Sequence, residues 1–432
     1  MTIYKYTNDP NVVFNPNSDV LLIDTGSAAD LFISQVGTSI RIVGSGHVAT
    51  LQGVSPGQLT STNIKVADGS LVLIGDDTTG TADDDLANVL IGRAGNDLLI
   101  GLGGNDSLDG GPGLDRIYGN SGDDSVRGSG ANDIVFGGQG NDTVDYFTQS
   151  GALQIYGNLG DDQLFGGSGN DTIFGGQGFD SINGGNGNNL LIGGLGSDTV
   201  FGGDGNDRIE GGDNVDQLAG GFGANLIYGN QGDDTIGGAL FSKPVASSDT
   251  VYGGQGNDSI LYQNSNDGAY IYGNLGNDNI RGSAGNDFIF GGQGDDSIQG
   301  NRGHDVLIGG LGNDTFVVAV QSSSTDTGLN ASTADFILDF TSGQDKIRGL
   351  LAGNDVPGTA ANYNEYADAN VNGVQAAAQS YSTHAPNNYT FIAAGDGAGY
   401  LVIDFNKDGV ADGVILLESR SKLTDFAFTD II

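Results

Sequence analysis

Residues 166–207 read GGSGNDTIFGGQGFDSINGGNGNNLLIGGLGSDTVFGGDGND. An Asp or Asn closes a glycine-rich stretch every nine residues, at Asp171, Asp180, Asn189, Asp198 and Asp207. Two residues after each stands an aliphatic side chain: Ile173, Ile182, Leu191, Val200 and Ile209. The unit is G-G-x-G-x-D-x-U-x, where U is aliphatic. Self-similarity at a fixed short period is the signature of a solenoid. Six Gly-rich residues make a tight turn, with backbone conformations that a Cβ would penalise. The next three make a short strand with U pointing inward.

The period extends from about 88 to 314. It begins at Asn88 and also passes through Asn189, Asn225 and Asp267. The carboxylates that close its turns are Asp97, Asp106, Asp115, Asp124, Asp133, Asp142, Asp162, Asp171, Asp180, Asp198, Asp207, Asp216, Asp234, Asp249, Asp258, Asp278, Asp287, Asp296, Asp305 and Asp314. These carboxylates and the turn carbonyls are hard oxygen donors suited to Ca2+, and all twenty Asp are candidate metal ligands. Asn189 and Asn225 bring no charge to the same position, so sites built on them are expected to be weaker.

The repeated nonapeptide resembles the RTX (repeats-in-toxin) calcium-binding family. That resemblance implies a parallel β-roll in which two nonapeptides complete one coil of 18 residues. It places a calcium between a turn and its equivalent one coil on. Asp97 and Asp115 then share one edge, and Asp106 and Asp124 the other.

Composition agrees with turns that bind hard cations. Of 54 acidic residues only Glu210, Glu365 and Glu418 are Glu, against 15 basic residues, and 78 residues are Gly. Asp is short and sits well in turns. The formal charge of -39 repels nucleic acid and acidic membrane surfaces. The absence of Cys excludes disulfides, thiol catalysis and Cys-ligated zinc. Within 88–314, 29 Asp and Glu210 face seven basic residues, a net of -23. About a dozen Ca2+ would cancel that charge, so calcium binding, on the order of ten or more ions, is expected to supply much of the folding energy. One aliphatic per strand makes a thin core.

Residues 1–87 carry short β-like runs such as VLLID (20–24), SIRIV (39–43) and SLVLIG (70–75). They read as a small N-terminal β region that caps the roll. The start, MTIYKYTNDPNVVF, has no basic region followed by an apolar run, so no ordinary secretory signal peptide is expected. No apolar stretch is long enough for a transmembrane helix.

A longer duplication overlies the period. Asp142 to Asp162 and Asp258 to Asp278 are both 20 residues apart, with the same two-residue insertion 116 positions on. The inserts at 145–151, 238–248 and 261–267 are expected on the surface, as added contacts or as neutral loop growth. Aromatics follow U at Tyr118, Phe136, Phe165, Phe174, Phe201, Tyr228, Tyr252, Tyr272 and Phe290. They should face outward, with Tyr118 on Phe136 and Tyr272 on Phe290. β-Propensity alone explains aromatics in strands. A sticky outer face for neighbours or glycans is the other reading.

After Asp314 the period ends. The pattern at Asp335, Ile337, Asp339, Phe340, Gly343, Asp345, Lys346 and Ile347 resembles the segment that follows the roll in secreted RTX proteins. Residues 316–432 thus look like a mostly β C-terminal domain with one short helix, around 365–380. The ending LTDFAFTDII resembles an uncleaved type I secretion signal. Asp404, Asn406, Asp408 and Asp412 follow the first nine positions of an EF-hand loop, with Gly409 at position six and Ile415 where the Glu belongs. They are candidate ligands of one further Ca2+; a plain turn between strands is the alternative.

The expected fold is therefore all-β: a parallel β-roll over 88–315, a β cap at 1–87 and a β-rich domain at 316–432. No H-E-x-x-H or G-x-S-x-G is present, and His47, His304 and His384 lie far apart, so no catalytic residues and no enzyme are expected. His304 reads as a solvated turn residue. The function expected is a secreted, calcium-dependent structural protein of the bacterial surface, forming a homo-oligomeric lattice or filament and exported by a type I apparatus. An adhesin that binds cell-surface polysaccharide, or an accessory to a separate enzyme, is the alternative.

Overall fold

The computed structural model describes residues 87–320 except 131, 148, 238–247 and 263–266. Before them it describes 3–5, 12–13, 20–23, 31–36, 39–44, 47–52, 54, 64–66 and 71–74. After them it describes 335–341, 343–351, 354–355, 363–368, 377, 389–394, 399–403, 413–417 and 430–432. The chain divides into two compact units, Met1–Glu210 and Gly211–Ile432.

In the first unit the roll forms as the period requires. Strands Leu98–Gly103, Arg116–Ser121, Ile134–Gln139, Gln154–Leu159, Thr172–Gln177 and Leu190–Leu195 lie parallel and in register on one sheet. Shorter strands such as Ser107–Asp109, Ser125–Arg127 and Thr143–Asp145 form the opposite sheet. Ile117 pairs with Val135, 18 residues on, so two nonapeptides do make one coil. Ile134 pairs with Gln154, so the inserted coil holds 20. The U side chains Leu108, Ile117, Val126, Val135 and Val144 are at most 1 % exposed and face one another between the sheets.

On the first sheet the strands run six residues rather than three, through the paired glycines. Gly138 takes a φ of +128°, which side chains rarely adopt. At the same register Asn120 and Asn158 sit in the left-handed region, at φ 75° and 79°. Asn is the residue type that tolerates this conformation after Gly.

Ahead of the roll, Ile3–Lys5, Val20–Ile23 and Ile64–Val66 form a parallel sheet. Phe32–Val36, Ser39–Gly44 and His47–Gln52 form an antiparallel meander. Val72–Ile74 lies in register on Leu98–Ile100. Leu21, Ile23, Ile40, Ile42, Leu51 and Val72 share one buried cluster with Leu98.

In the second unit the same pattern runs through Leu226–Gln231, Thr250–Gln255, Tyr270–Leu275, Phe288–Gln293 and Val306–Leu311. Asp335–Ile337 adds to Val306–Leu311 and then pairs with Gly413–Leu417. Gly399–Ile403 and Gly413–Leu417 form a hairpin, and Tyr389–Ala394 joins it. The loop carrying Asp404, Asn406, Asp408 and Asp412 lies outside the described residues, as do 238–247 and 263–266 of the inserts.

The helix expected around 365–380 is corrected at its start. Tyr363–Asp368 is a β-strand, parallel to Tyr389–Ala394. Tyr363 pairs with Tyr389 and Tyr366 with Ile392. Aromatics paired across a sheet outweigh the helix propensity of Glu365 and Ala367. Of residues 369–388 only Ala377 is described, in helical conformation.

Candidate metal centres

The turn Asp carboxylates line up along two edges. On one, the N–H of Asp106, Asp124, Asp142, Asp162 and Asp180 each donates to Oδ1 of the Asp one coil on, ending at Asp198, at 2.8–2.9 Å. On the other, Asp97 donates to Asp115, Asp115 to Asp133, Asp171 to Asn189 and Asn189 to Asp207. The second unit repeats this through Asp216, Asp234, Asp258, Asp278, Asp296 and Asp314. Its other edge holds Asn225, Asp249, Asp287 and Asp305.

The second carboxylate oxygen behaves differently. Oδ2 of Asp124, Asp142, Asp162 and Asp180 is buried with no hydrogen-bond partner, as is Oδ2 of Asp258, Asp278 and Asp296. It lies over the glycine that opens its own turn. A Cβ at Gly137 would fall on Asp142 Oδ2 and within 2.9 Å of the Gly157 carbonyl oxygen. A Cβ at Gly175 would meet Asp180 Oδ2 and the Gly193 carbonyl in the same way. Each cleft thus brings a carboxylate oxygen and a carbonyl of the next coil together with no donor between them. Two buried acceptors in this arrangement make a candidate cation site.

The electrostatics say the same. Burial, with the charges of Asp162 and Asp124 added, pushes the Asp142 carboxyl up to about 8. Burial raises Asp278 to about 8, and Asp115 and Asp124 to about 7. Among the described residues no three acidic or histidine side chains converge on one point. The donor set is therefore carboxylate plus backbone carbonyl: hard oxygen throughout, which fits Ca2+ and offers no soft or nitrogen ligand to a transition metal.

At two positions an amide replaces the carboxylate. Asn189 Nδ2 donates to the carbonyls of Gly187 and Gly202, at 3.3 and 3.5 Å. Asn225 Nδ2 donates to Gly223 O and to Asp249 Oδ1, both at 3.1 Å. The amide proton supplies the positive end that the carboxylate clefts lack.

Several participants escape a reading of the period alone. Where an Asn or Asp precedes the turn Asp, it builds a second ladder of opposite sense on the outer rim. Asn141 N–H donates to Asp123 Oδ1 and Asp161 N–H to Asn141 Oδ1, both at 2.8 Å. The frequent Asn or Asp at this variable position was its signal. Asp335 and Asp345 extend the inner ladders past the last repeat, accepting from Asp305 and Asp314. Ala269, not Asp267, holds the ladder position before Asp287. His304 is half-buried against Phe336, with ring centroids 4.6 Å apart, rather than solvated.

The family model for the RTX calcium-binding nonapeptide repeat matches residues 83–117, 109–144, 154–182, 174–209, 183–218, 210–241, 246–269, 264–298, 272–307 and 282–316. Together these cover just over half of the 432 residues. No curated protein matches the chain. Among solved structures it is similar to a hyperactive, Ca2+-dependent, beta-helical antifreeze protein from an Antarctic bacterium, at 19 % identity and a TM-score of 0.43, over 66 % of this chain and 99 % of that one.

Proposed function

The chain belongs to the RTX calcium-binding nonapeptide-repeat family, and from that premise we propose that it is a secreted structural protein of a bacterial surface, folded by Ca2+ and self-assembling into an S-layer or extracellular matrix. RTX repeat proteins are generally extracellular. Among the described residues no helix is long and apolar enough to cross a membrane. Export through a type I apparatus is part of the proposal, supported by the resemblance of the C-terminal block. The role needs no catalysis.

The observation that carries the reading is an aromatic ladder on the outer face. Tyr118, Phe136, Tyr156 and Phe174 stack ring on ring, 4.8–5.1 Å apart and within 9° of parallel. In the second unit Tyr228, Tyr252 and Tyr272 stack at 4.9–5.1 Å. Register pairs Tyr272 with Phe290, while its ring meets Phe288 at 6.0 Å. All seven stacked rings are half-buried, on the side opposite the U residues. Leu159 and Leu195, at the ends of their strands, and Phe179 are 40–65 % exposed. Such a face suits association with a like face. At -39 the subunits repel one another until Ca2+ neutralises the turns. One ion then controls folding and assembly together.

Sedimentation velocity and negative-stain imaging across a calcium titration test this. Compaction of the monomer should come first, then sheets or filaments at higher ion and protein concentration. A strict monomer at millimolar Ca2+ and high concentration would sink the proposal.

One observation favours a second reading, a calcium-stabilised adhesin. An open groove of about 420 Å³ runs along the ladder, between Tyr118 and Phe136 and the amides of Asn120, Gln139 and Asn158. Aromatic faces beside amide donors and acceptors suit a polysaccharide chain. Retention of the monomer on a glycan array would select this reading.

A further inference from the structure

The two 20-residue coils break the pattern of the clefts in the same way. On one edge of the first unit, register aligns Gly92, Gly110 and Gly128 with Tyr146, and Tyr146 with Gly166. Tyr146 therefore stands where every neighbouring coil has the glycine that opens the turn. Its ring turns into the roll and is 1 % exposed. A Cβ at Gly128 would lie 2.5–2.6 Å from Cε1, Cζ and the hydroxyl oxygen of Tyr146. At Gly110, one coil earlier, the same space meets the Asp115 carboxylate. The coil of Tyr146 has also lost its ladder carboxylate, because Leu153 is the residue that donates to Asp171 Oδ1.

The second unit holds the same exchange. Tyr262 aligns with Gly282 and is 3 % exposed. Ala269 stands at the ladder position, donating to Asp287 Oδ1 at 2.7 Å. The Asp one coil before is Asp133 for Tyr146 and Asp249 for Tyr262, and each faces its phenol.

We propose that Tyr146 and Tyr262 are built-in substitutes for calcium: each phenol fills the cleft between its own coil and the preceding Asp133 or Asp249, which takes no ion there. The phenol ring occupies the volume an ion needs; unlike the Asn189 amide, neither tyrosine hydroxyl makes a hydrogen bond among the described residues, so the substitution is one of volume. The missing carboxylate at Leu153 and Ala269 fits this reading, since a cleft without a cation has no use for a second charge. Each unit thereby carries one step of its roll that closes without metal.

The inference rests on the calcium reading of the other turns, and its test separates the two. Long-wavelength diffraction from calcium-loaded crystals of the full chain should show anomalous peaks in clefts such as Gly137–Asp142 and Gly175–Asp180. It should show none between Asp133 and Tyr146 or between Asp249 and Tyr262. A peak in either tyrosine cleft overturns the proposal; no peaks anywhere overturn the calcium reading itself. In solution, the paired change Tyr146→Gly with Leu153→Asp restores the repeat chemistry. Bound Ca2+ per folded chain, counted by native mass spectrometry, should rise by one. The same holds for Tyr262→Gly with Ala269→Asp. An unchanged count in folded variants of a calcium-binding parent overturns the substitution.

Discussion

The N–H of Asp124 donates to Oδ1 of Asp142 at 2.8 Å, while Oδ2 of that same carboxylate is buried with no hydrogen-bond partner. One oxygen holds neighbouring coils in register, and the other is the one we propose receives the cation. On that proposal the division, repeated along both edges, couples metal binding to folding. Circular dichroism of the chain in excess EGTA should show most β signal lost, and about 1–10 mM Ca2+ should restore it, in the range of extracellular calcium modules. Mg2+ should restore little, since it demands near-octahedral geometry at about 2.1 Å. A β spectrum indifferent to EGTA would contradict this.

Without calcium the same carboxylates make folding depend on pH, with a definite sign. In the fold burial raises Asp142 to about 8, and Asp115, Asp124 and Asp162 to about 7, from an ordinary 3.8. The calcium-free folded chain therefore binds protons that the unfolded chain releases. Stability falls with pH wherever the native state holds more protons. The contribution of these groups is complete below about pH 4 and is lost as pH rises through 4 to about 8. Calcium-stripped protein should thus hold more β structure at pH 4.5 than at pH 8, and calcium uptake near pH 7 should release protons. More structure at pH 8 than at pH 4.5 would reverse the sign and refute the argument.

The clefts also make a steric prediction. A methyl at Gly137 falls on Asp142 Oδ2 and close to Gly157 O, whereas among the described residues one at Gly237 meets only Leu261 O, at 3.7 Å. Gly137→Ala should raise the calcium midpoint of folding and cost about 1–3 kcal/mol, the usual range for overpacking. Gly237→Ala should be near neutral. Thermal melts in saturating Ca2+ compare the two, and equal effects would mean that the Gly137 cleft is not tight.

The period revealed much of this and hid the rest for physical reasons. Asp142 and Val144 are two residues apart and repeat in register, so turn, strand and inward face followed from spacing alone. Tyr146 was invisible as a cleft residue because an insertion shifts the frame, and only strand pairing shows that it replaces a glycine. Asp267 keeps the nine-residue count, yet the insertion moves Ala269 into its place. The strand at Tyr363–Asp368 depends on Tyr389–Ala394, twenty residues away, which no local propensity encodes.

Asn189 offers a gain-of-site test. Its Oδ1 accepts from Asp171 N–H at 2.9 Å, and its Nδ2 lies in the Gly184 cleft toward Gly202 O. Asn189→Asp keeps the first contact and replaces the amide donor with an acceptor, which recreates the cleft found at Asp180. Bound Ca2+ per chain should rise by one, and the melting temperature of the calcium-loaded form should rise with it. An unchanged count, measured by isothermal titration, would mean that the side chain at this position does not decide occupancy.

A change to the aromatic ladder tests whether folding and the proposed assembly can be separated. Phe136 and Tyr156 stack at 4.8 Å and 9°, on strands whose Val135 and Ile155 point the other way into a fully buried core. Stacked aromatic pairs contribute about 0.5–1.5 kcal/mol beyond their area, and more where a partner surface desolvates them. Replacing both rings with Ser leaves the turn Asp and the U residues untouched. The calcium-induced β spectrum should persist, with its midpoint raised by the lost stacking, about 0.5–1.5 kcal/mol per pair. The concentration needed for assembly should rise by about tenfold or more, equivalent to about 1.4 kcal/mol per subunit contact. A double variant that no longer folds in Ca2+ would make the ladder structural. One that folds and assembles at the parent concentration would place the contact on another face. One that folds and loses retention on polysaccharide would move the function from lattice to adhesin.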